Sequence, residues 1–227
     1  MSKGMIGRLV TFAGMLVLFL LGGGDARCAD AGNEMWNWFN LDVWSNKRWR
    51  AHLYLDSRTA QHRGSYIQLA SPRLKYRLHP NLELGAGFSL LHIERGDTND
   101  FFPQPRSELE INPRWLVGEH WQFHLRNRWE MRWNDWEGKP RHRSRHRVQI
   151  AYEIAKTGIL KGFYTNNEWF VEYDRDAWTE NRWTPIGVSL RVGEKTTLHL
   201  FYMQRSFHGS GAWTHDHIGG SFFSVKY

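Results

Sequence analysis

Residues 121–133 alternate almost without error between two kinds of side chain. Trp121, Phe123, Leu125, Asn127, Trp129, Met131 and Trp133 fall on one face, and Gln122, His124, Arg126, Arg128, Glu130 and Arg132 on the other. A period of two is that of a β-strand, because successive side chains point to opposite sides of a sheet. The contents of the two faces restrict the fold further. A soluble sandwich hides its apolar face in a core and rarely repeats tryptophan there. A barrel in a bilayer turns an apolar band with aromatic girdles towards lipid and keeps its charge in the lumen. The segment therefore predicts one stave of a membrane β-barrel. Composition agrees: a soluble protein that is 23% charged seldom carries 13 tryptophans and 13 phenylalanines.

The N-terminus predicts export. Lys3 and Arg8 flank the start of an apolar run at residues 9–21, and Ala29-Asp30-Ala31 offers a small-x-small cleavage site. This is the pattern of a secretory signal removed at residues 1–31, and the run is shorter than the ~18 residues a spanning helix needs. Cys28 follows Arg27, which argues against acylation. Cleavage would remove this single cysteine, leaving a mature chain without disulfide or thiol chemistry.

Candidate strands then follow one another with no helical segment between them. They fall near 35–45, 48–58, 66–78, 82–95, 104–117, 121–133, 143–155, 163–174, 181–192, 196–206 and 214–227. Most reach the ~9–11 residues that a tilted strand needs to cross a bilayer. Pro72, Pro113 and Pro185 lie inside these segments and predict bulges or irregular pairing, since proline donates no ladder hydrogen bond. Short turns at 46–47, 79–81, 118–120 and 193–195, and a slightly longer one at 156–162, alternate with longer polar loops. That alternation assigns the short turns to the periplasm and the long loops to the exterior. Eleven candidates conflict with the even count usual in bacterial barrels. The expectation is therefore ten strands, if 35–45 does not span, or twelve, if one is miscounted.

Charges cluster on the predicted lumen faces. Arg106, Glu108, Glu110 and Arg114 lie on the strand before 121–133, and Arg143, Arg145 and Arg147 on the strand after it. Neighbouring strands are ~4.8 Å apart, so opposite charges can pair across the sheet. The first expectation is a lumen filled by an Arg–Glu network, because buried charges must be paired. An anion-attracting pathway is the functional alternative.

Other constellations carry less. His215 and His217 could share a strand face and bind zinc, but a structural site needs four ligands, and no metal or other cofactor is expected. The run Arg-His-Arg-Ser-Arg-His-Arg at 141–147 predicts contact with lipopolysaccharide phosphates at a strand mouth rather than with nucleic acid. Ser206 with His208, or Ser210 with His215, are the nominees for a lipid hydrolase. The last strand ends in Phe223, Val225 and the terminal Tyr227 on one face. A C-terminal aromatic of this kind resembles the signal by which the barrel-assembly machinery recognises its clients.

Arg126-x-Arg128-x-Glu130-x-Arg132, with Asn167-Glu168-Trp169-Phe170 and Glu180-Asn181-Arg182 further on, resembles the bacterial barrel family designated "domain of unknown function 2490". The resemblance covers roughly residues 34–227. It implies an outer-membrane location without an assigned activity. It also implies an interior constellation of Arg126, Arg128, Glu130, Arg132, Glu168, Asn181 and Arg182. The abundant tryptophan and histidine of this chain depart from the family pattern.

The sequence thus predicts an all-β protein, a single antiparallel, transmembrane, up-and-down β-barrel of ten to twelve strands over residues 32–227. Its expected role is that of a structural or small-solute barrel without catalytic activity. A lipid-modifying hydrolase and an exported soluble β-barrel binding an apolar ligand are the alternatives.

Overall fold

The computed structural model describes residues 33–226 apart from 62–63, 95–99, 135–137, 155–157, 176 and 209–212. Residues 1–31, where the sequence predicts an export signal, and Tyr227 lie outside the described residues, as does Ser210. Among the described residues, eleven strands close into one barrel: β1 (Asn33–Ser45), β2 (Trp49–Ala60), β3 (Gly64–His79), β4 (Leu82–Glu94), β5 (Phe101–Val117), β6 (Trp121–Arg132), β7 (Arg141–Glu153), β8 (Leu160–Glu172), β9 (Ala177–Gly193), β10 (Thr196–His208) and β11 (Trp213–Val225). A short 3₁₀ turn, Tyr173–Arg175, follows β8. Every candidate segment folds as a strand, with boundaries displaced by a few residues.

The even strand count expected from sequence does not hold. Each hairpin reverses the chain, so the first and last of eleven strands run the same way. They close the barrel in parallel, in register from Asn33↔His217 to Leu41↔Val225, while every other seam is antiparallel. The 35–45 segment is therefore neither non-spanning nor evidence of a missed strand. Ser221 Oγ donates to Asn37 Oδ1 (2.8 Å) across this seam. Gly220 allows the close approach there: a Cβ on it would stand 2.2 Å from Phe201 Cζ and 2.7 Å from the Trp36 carbonyl oxygen. One consequence is that β1 starts at the long-loop end of the barrel, and β11 finishes at the short-turn end.

Local chemistry sets the turns. Asn46 Oδ1 accepts from the backbone N–H groups of Arg48 (2.9 Å) and Trp49 (2.8 Å), an Asx-type cap on the β1–β2 turn. Gly118 supplies the left-handed backbone (φ 61°) of the β5–β6 turn. Of the three strand prolines, only Pro185 sits where both neighbouring ladders shift register, a bulge that moves the following β9 residues to the other face. Pro72 and Pro113 leave gaps in the β3–β4 and β5–β6 ladders without shifting them.

The barrel's polarity is inverted relative to a soluble protein. Leu109, Ile111, Phe88, Leu90, Leu200, Trp183 and Ile186 are among the large apolar side chains that stand exposed on its outer wall. Glu108, Glu110, Glu130, Arg128 and Arg182 are buried inside. Aromatic pairs mark both rims, Trp49–Tyr76 and Trp121–Tyr152 near the short turns and Trp178–Trp213 near the long loops.

Candidate functional site

The lumen is built from alternate residues of adjacent strands, so its chemistry follows from the ladder registers. Glu110 of β5 faces Arg128 of β6, and Glu108 faces Glu130. Two carboxylates directly opposite repel, and arginines from both sides relieve the repulsion. Arg128 Nη2 lies 2.5 Å from Glu110 Oε1, and its Nη1 lies 3.1 Å from Glu108 Oε2 and 3.6 Å from Glu130 Oε1. On the far side of Glu130, Arg143 Nη2 approaches to 2.6 Å and Arg145 Nη1 to 2.8 Å. Arg145 also reaches Glu168 at 3.2 Å, where Arg126 arrives at 2.5 Å.

The lattice extends beyond the residues that sequence reasoning nominated. Arg73 of β3 meets Glu108 at 2.9 Å, and Lys75 meets Glu83 at 3.1 Å. Gly87 leaves room for this crossing, because a Cβ there would lie 2.9 Å from Arg73 Cγ. Towards the long-loop end, Glu180 Oε1 accepts from Arg182 and Arg205 (both 2.7 Å). Trp36 and Phe170, both fully buried, lie within the lattice as aromatic plates. Arg58 and Arg182 lie over Trp36 at 3.8 and 4.7 Å, and Arg182 and Arg145 over Phe170 at 4.4 and 4.6 Å. A cation on an aromatic face is stabilised where water is scarce.

Four nominated residues stand apart from the ion pairs. Arg114 is exposed near the short-turn rim, where its Nε donates to the Pro80 carbonyl (2.9 Å). It shares the lumen parity of Glu110, but the long β5 carries it past the lattice. Asn181 points outward, since it alternates with buried Glu180 and Arg182. Its Nδ2 donates to Asn167 Oδ1 (2.5 Å). Arg106 is inside, held by Gln104 Oε1 through Nε (2.8 Å) and Nη2 rather than by a carboxylate. Arg147 is also inside, and among the described residues no ion pair joins it to an acid; its Nε has no hydrogen-bond partner. Arg132, by contrast, pairs with Glu172 at 2.7 Å.

A cavity of about 420 Å³ runs along the lumen beside this lattice. Arg147, Arg126, His124, His52, Gln149 and Asn166 contribute to its wall. The lining is mixed: these charged and hydrogen-bonding groups share it with Trp38, Leu91, Phe201, Met203 and Phe222, and its cationic side chains offer a small anion several partners.

The hydrolase nominees resolve differently from expectation. Ser206 Oγ contacts His215 Nδ1 (2.9 Å) on the outer wall, while His208 packs edge-on against Trp213. His217 is engaged by the Tyr202 hydroxyl (2.5 Å), so the two histidines of β11 have separate partners.

These observations define a class: a closed all-β barrel, antiparallel except at one seam, with a charged interior. The chain belongs to the family described as "Protein of unknown function (DUF2490)", whose model matches residues 33–216. No curated protein matches it. Among solved structures it is similar to the NanC porin in a rhombohedral crystal form, with 12% identity and a TM-score of 0.48 over 83% of this chain and 91% of that one. It is also similar to the beta domain of the Bordetella autotransporter BrkA, with 12% identity and a TM-score of 0.47 over 86% and 97% respectively.

Proposed function

We propose that the protein is an outer-membrane β-barrel that is closed to bulk flow by its charge lattice. In this reading the lumen acts as a structural plug with a basic cavity that accepts small anions. One observation carries the placement: apolar side chains cover the outer wall between two aromatic rims while the ion pairs are inside. In water this arrangement exposes the wrong face. In a bilayer it satisfies both solvents, because lipid meets the apolar band and the charges stay paired in the lumen. Strands of 12 to 17 residues are long enough to cross with tilt.

The ion pairs support closure. Arginines from β3, β6 and β7 converge on Glu108, Glu110 and Glu130, and moving them apart would leave buried charges uncompensated. Unpaired Arg147 makes the adjoining cavity attractive to anions. At the exterior rim, Arg141 and His142 would meet lipopolysaccharide phosphates in this reading, because Arg143, Arg145 and Arg147 of the same run point into the lumen. At the other end, β11 presents Phe223 and Val225 outward as a handle for the barrel-assembly machinery, a reading that extends to Tyr227. Alkaline carbonate extraction of the cell envelope tests the placement. The protein should stay in the membrane pellet, and its release into the supernatant would overturn the bilayer reading.

A further inference from the structure

The outer wall holds a constellation that the lumen reading does not use. Asn127 of β6 and Ser144 and His146 of β7 share the lipid-facing side, with Asn127↔His146 and Trp129↔Ser144 directly opposite in the ladder. Asn127 Oδ1 lies 2.9 Å from His146 Nδ1, and His146 Nε2 lies 3.1 Å from Ser144 Oγ. Asn127 Nδ2 reaches the Ile111 carbonyl at 3.5 Å, which assigns the amide with its oxygen towards the ring. An amide oxygen can only accept, so this assignment puts the imidazole proton on Nδ1. The lone pair on Nε2 then faces the serine hydroxyl.

A hydroxyl, a base and a group that orients the base, in line and with the correct tautomer, form the arrangement that activates a serine nucleophile. Two other serine–histidine contacts on the barrel lack it. Ser206–His215 and Ser189–His199 meet through Nδ1 (2.9 and 2.8 Å), with no hydrogen bond to the other ring nitrogen among the described residues, and the His199 ring packs on Phe222 and Tyr164. We infer that Ser144, His146 and Asn127 form an acyl-ester hydrolase site on the outer wall, acting on the O-acyl chains of lipids in the outer leaflet. Ser144 and His146 are its catalytic residues, and Asn127 is a positioning residue. This departs from the non-catalytic role expected from sequence.

Location selects the substrate. Ser144 and His146 lie in the first part of β7, near the long-loop end and level with Trp129, where the ester bonds of a leaflet meet the aromatic rim. Ser144 is only 5% exposed. It sits beside Trp129, which is stacked on His142 (5.2 Å, 19° between planes), so an ester reaches Oγ when this pair moves aside. Attack of Ser144 Oγ on the ester carbonyl forms the new C–O bond while its proton passes to His146 Nε2. Collapse breaks the bond to the alcohol, which leaves with that proton. Water then adds to the acyl-serine, giving its proton to Nε2 and releasing the fatty acid, and Ser144 regains its hydrogen.

The substrate class rests on the bilayer placement proposed above, but the reactivity of Ser144 does not. The two are therefore tested separately on the full-length barrel in detergent, with heat-modifiable gel mobility confirming the fold of each variant. A long-chain fluorophosphonate should label Ser144, as located by peptide mass spectrometry, and Ser144→Ala should remove the label. Absence of an adduct, or an adduct on Ser206 or Ser189 instead, would overturn the site. With a long-chain 4-nitrophenyl ester in mixed micelles, His146→Ala should lower the rate by at least about 100-fold. Asn127→Ala should also slow it, and Asn127→Asp should restore it. Equal rates in wild type and folded Ser144→Ala refute the proposal. Parallel incubations with phosphatidylethanolamine vesicles and with lipid A, read by the fatty acids released, identify the lipid. Cleavage of the nitrophenyl ester alone would overturn the lipid assignment.

Discussion

Replacing Glu130 by glutamine changes two atoms' chemistry and leaves the volume almost untouched, yet it removes the most enclosed charge in the lattice. The Glu130 side chain is fully buried and lies 2.6 Å from Arg143, 2.8 Å from Arg145 and 3.6 Å from Arg128. Arg128 keeps Glu108 and Glu110, and Arg145 keeps Glu168. Arg143 loses its carboxylate partner and is left with the face of Phe170 at 5.0 Å. Removing one partner of a buried pair costs about 3–5 kcal/mol, because the remaining charge stays desolvated. The control is Glu83→Gln at the short-turn end, where the pair with Arg50 is far more open (side chains 36% and 17% exposed) and the other partner, Lys75, keeps Glu110 at 3.6 Å; pairs this open contribute about 1 kcal/mol or less. Urea unfolding of the refolded barrel in phospholipid vesicles, followed by tryptophan fluorescence, measures both. A loss in Glu130→Gln as small as that in Glu83→Gln would show that water screens the lattice and that the lumen is not closed at Glu130.

Three further perturbations probe separate parts of the structure. Leu109→Arg, at the middle of β5 on the outer wall (56% exposed), should destabilise the barrel in vesicles by about 2–4 kcal/mol; no loss would indicate that this wall faces water. Gly87→Val should displace Arg73 from Glu108 and lower stability by about 1–3 kcal/mol, the usual range for overpacking. Unfolding midpoints equal to wild type would contradict that packing. Sulfate should raise the unfolding midpoint of the wild type by binding in the lumen cavity, and Arg147→Ala should abolish the increment; an undiminished increment would place the anion elsewhere.

The alternation that made the strands legible is a local property, readable wherever one wall faces lipid and the other charge. It located all eleven strands and the neighbours Glu110 and Arg128. Closure is not local: whether β1 meets β11 in parallel depends on the parity of the whole chain, and an assumption of even count hid it. Arg73, Lys75 and Glu180 alternate with outward residues as plainly as Arg128 does, and attention to parity on those strands would have found them. The same rule would have turned Asn181 outward, because its neighbours Glu180 and Arg182 point in. Trp36 and Phe170 were harder to place, since an aromatic residue in a barrel strand reads as lipid-facing until the arginines around it are known. The Ser144–His146–Asn127 contact was hidden because Asn127 lies on a different strand, and only the β6–β7 register brings it opposite His146.

Recording from single barrels in a planar bilayer tests the central claim most directly. A lumen spanned by the Glu108–Arg128–Glu110–Glu130 lattice should show no conductance, or a small anion-selective one passing through the cavity at Arg147. A large, steady, weakly selective current would contradict the closed lumen.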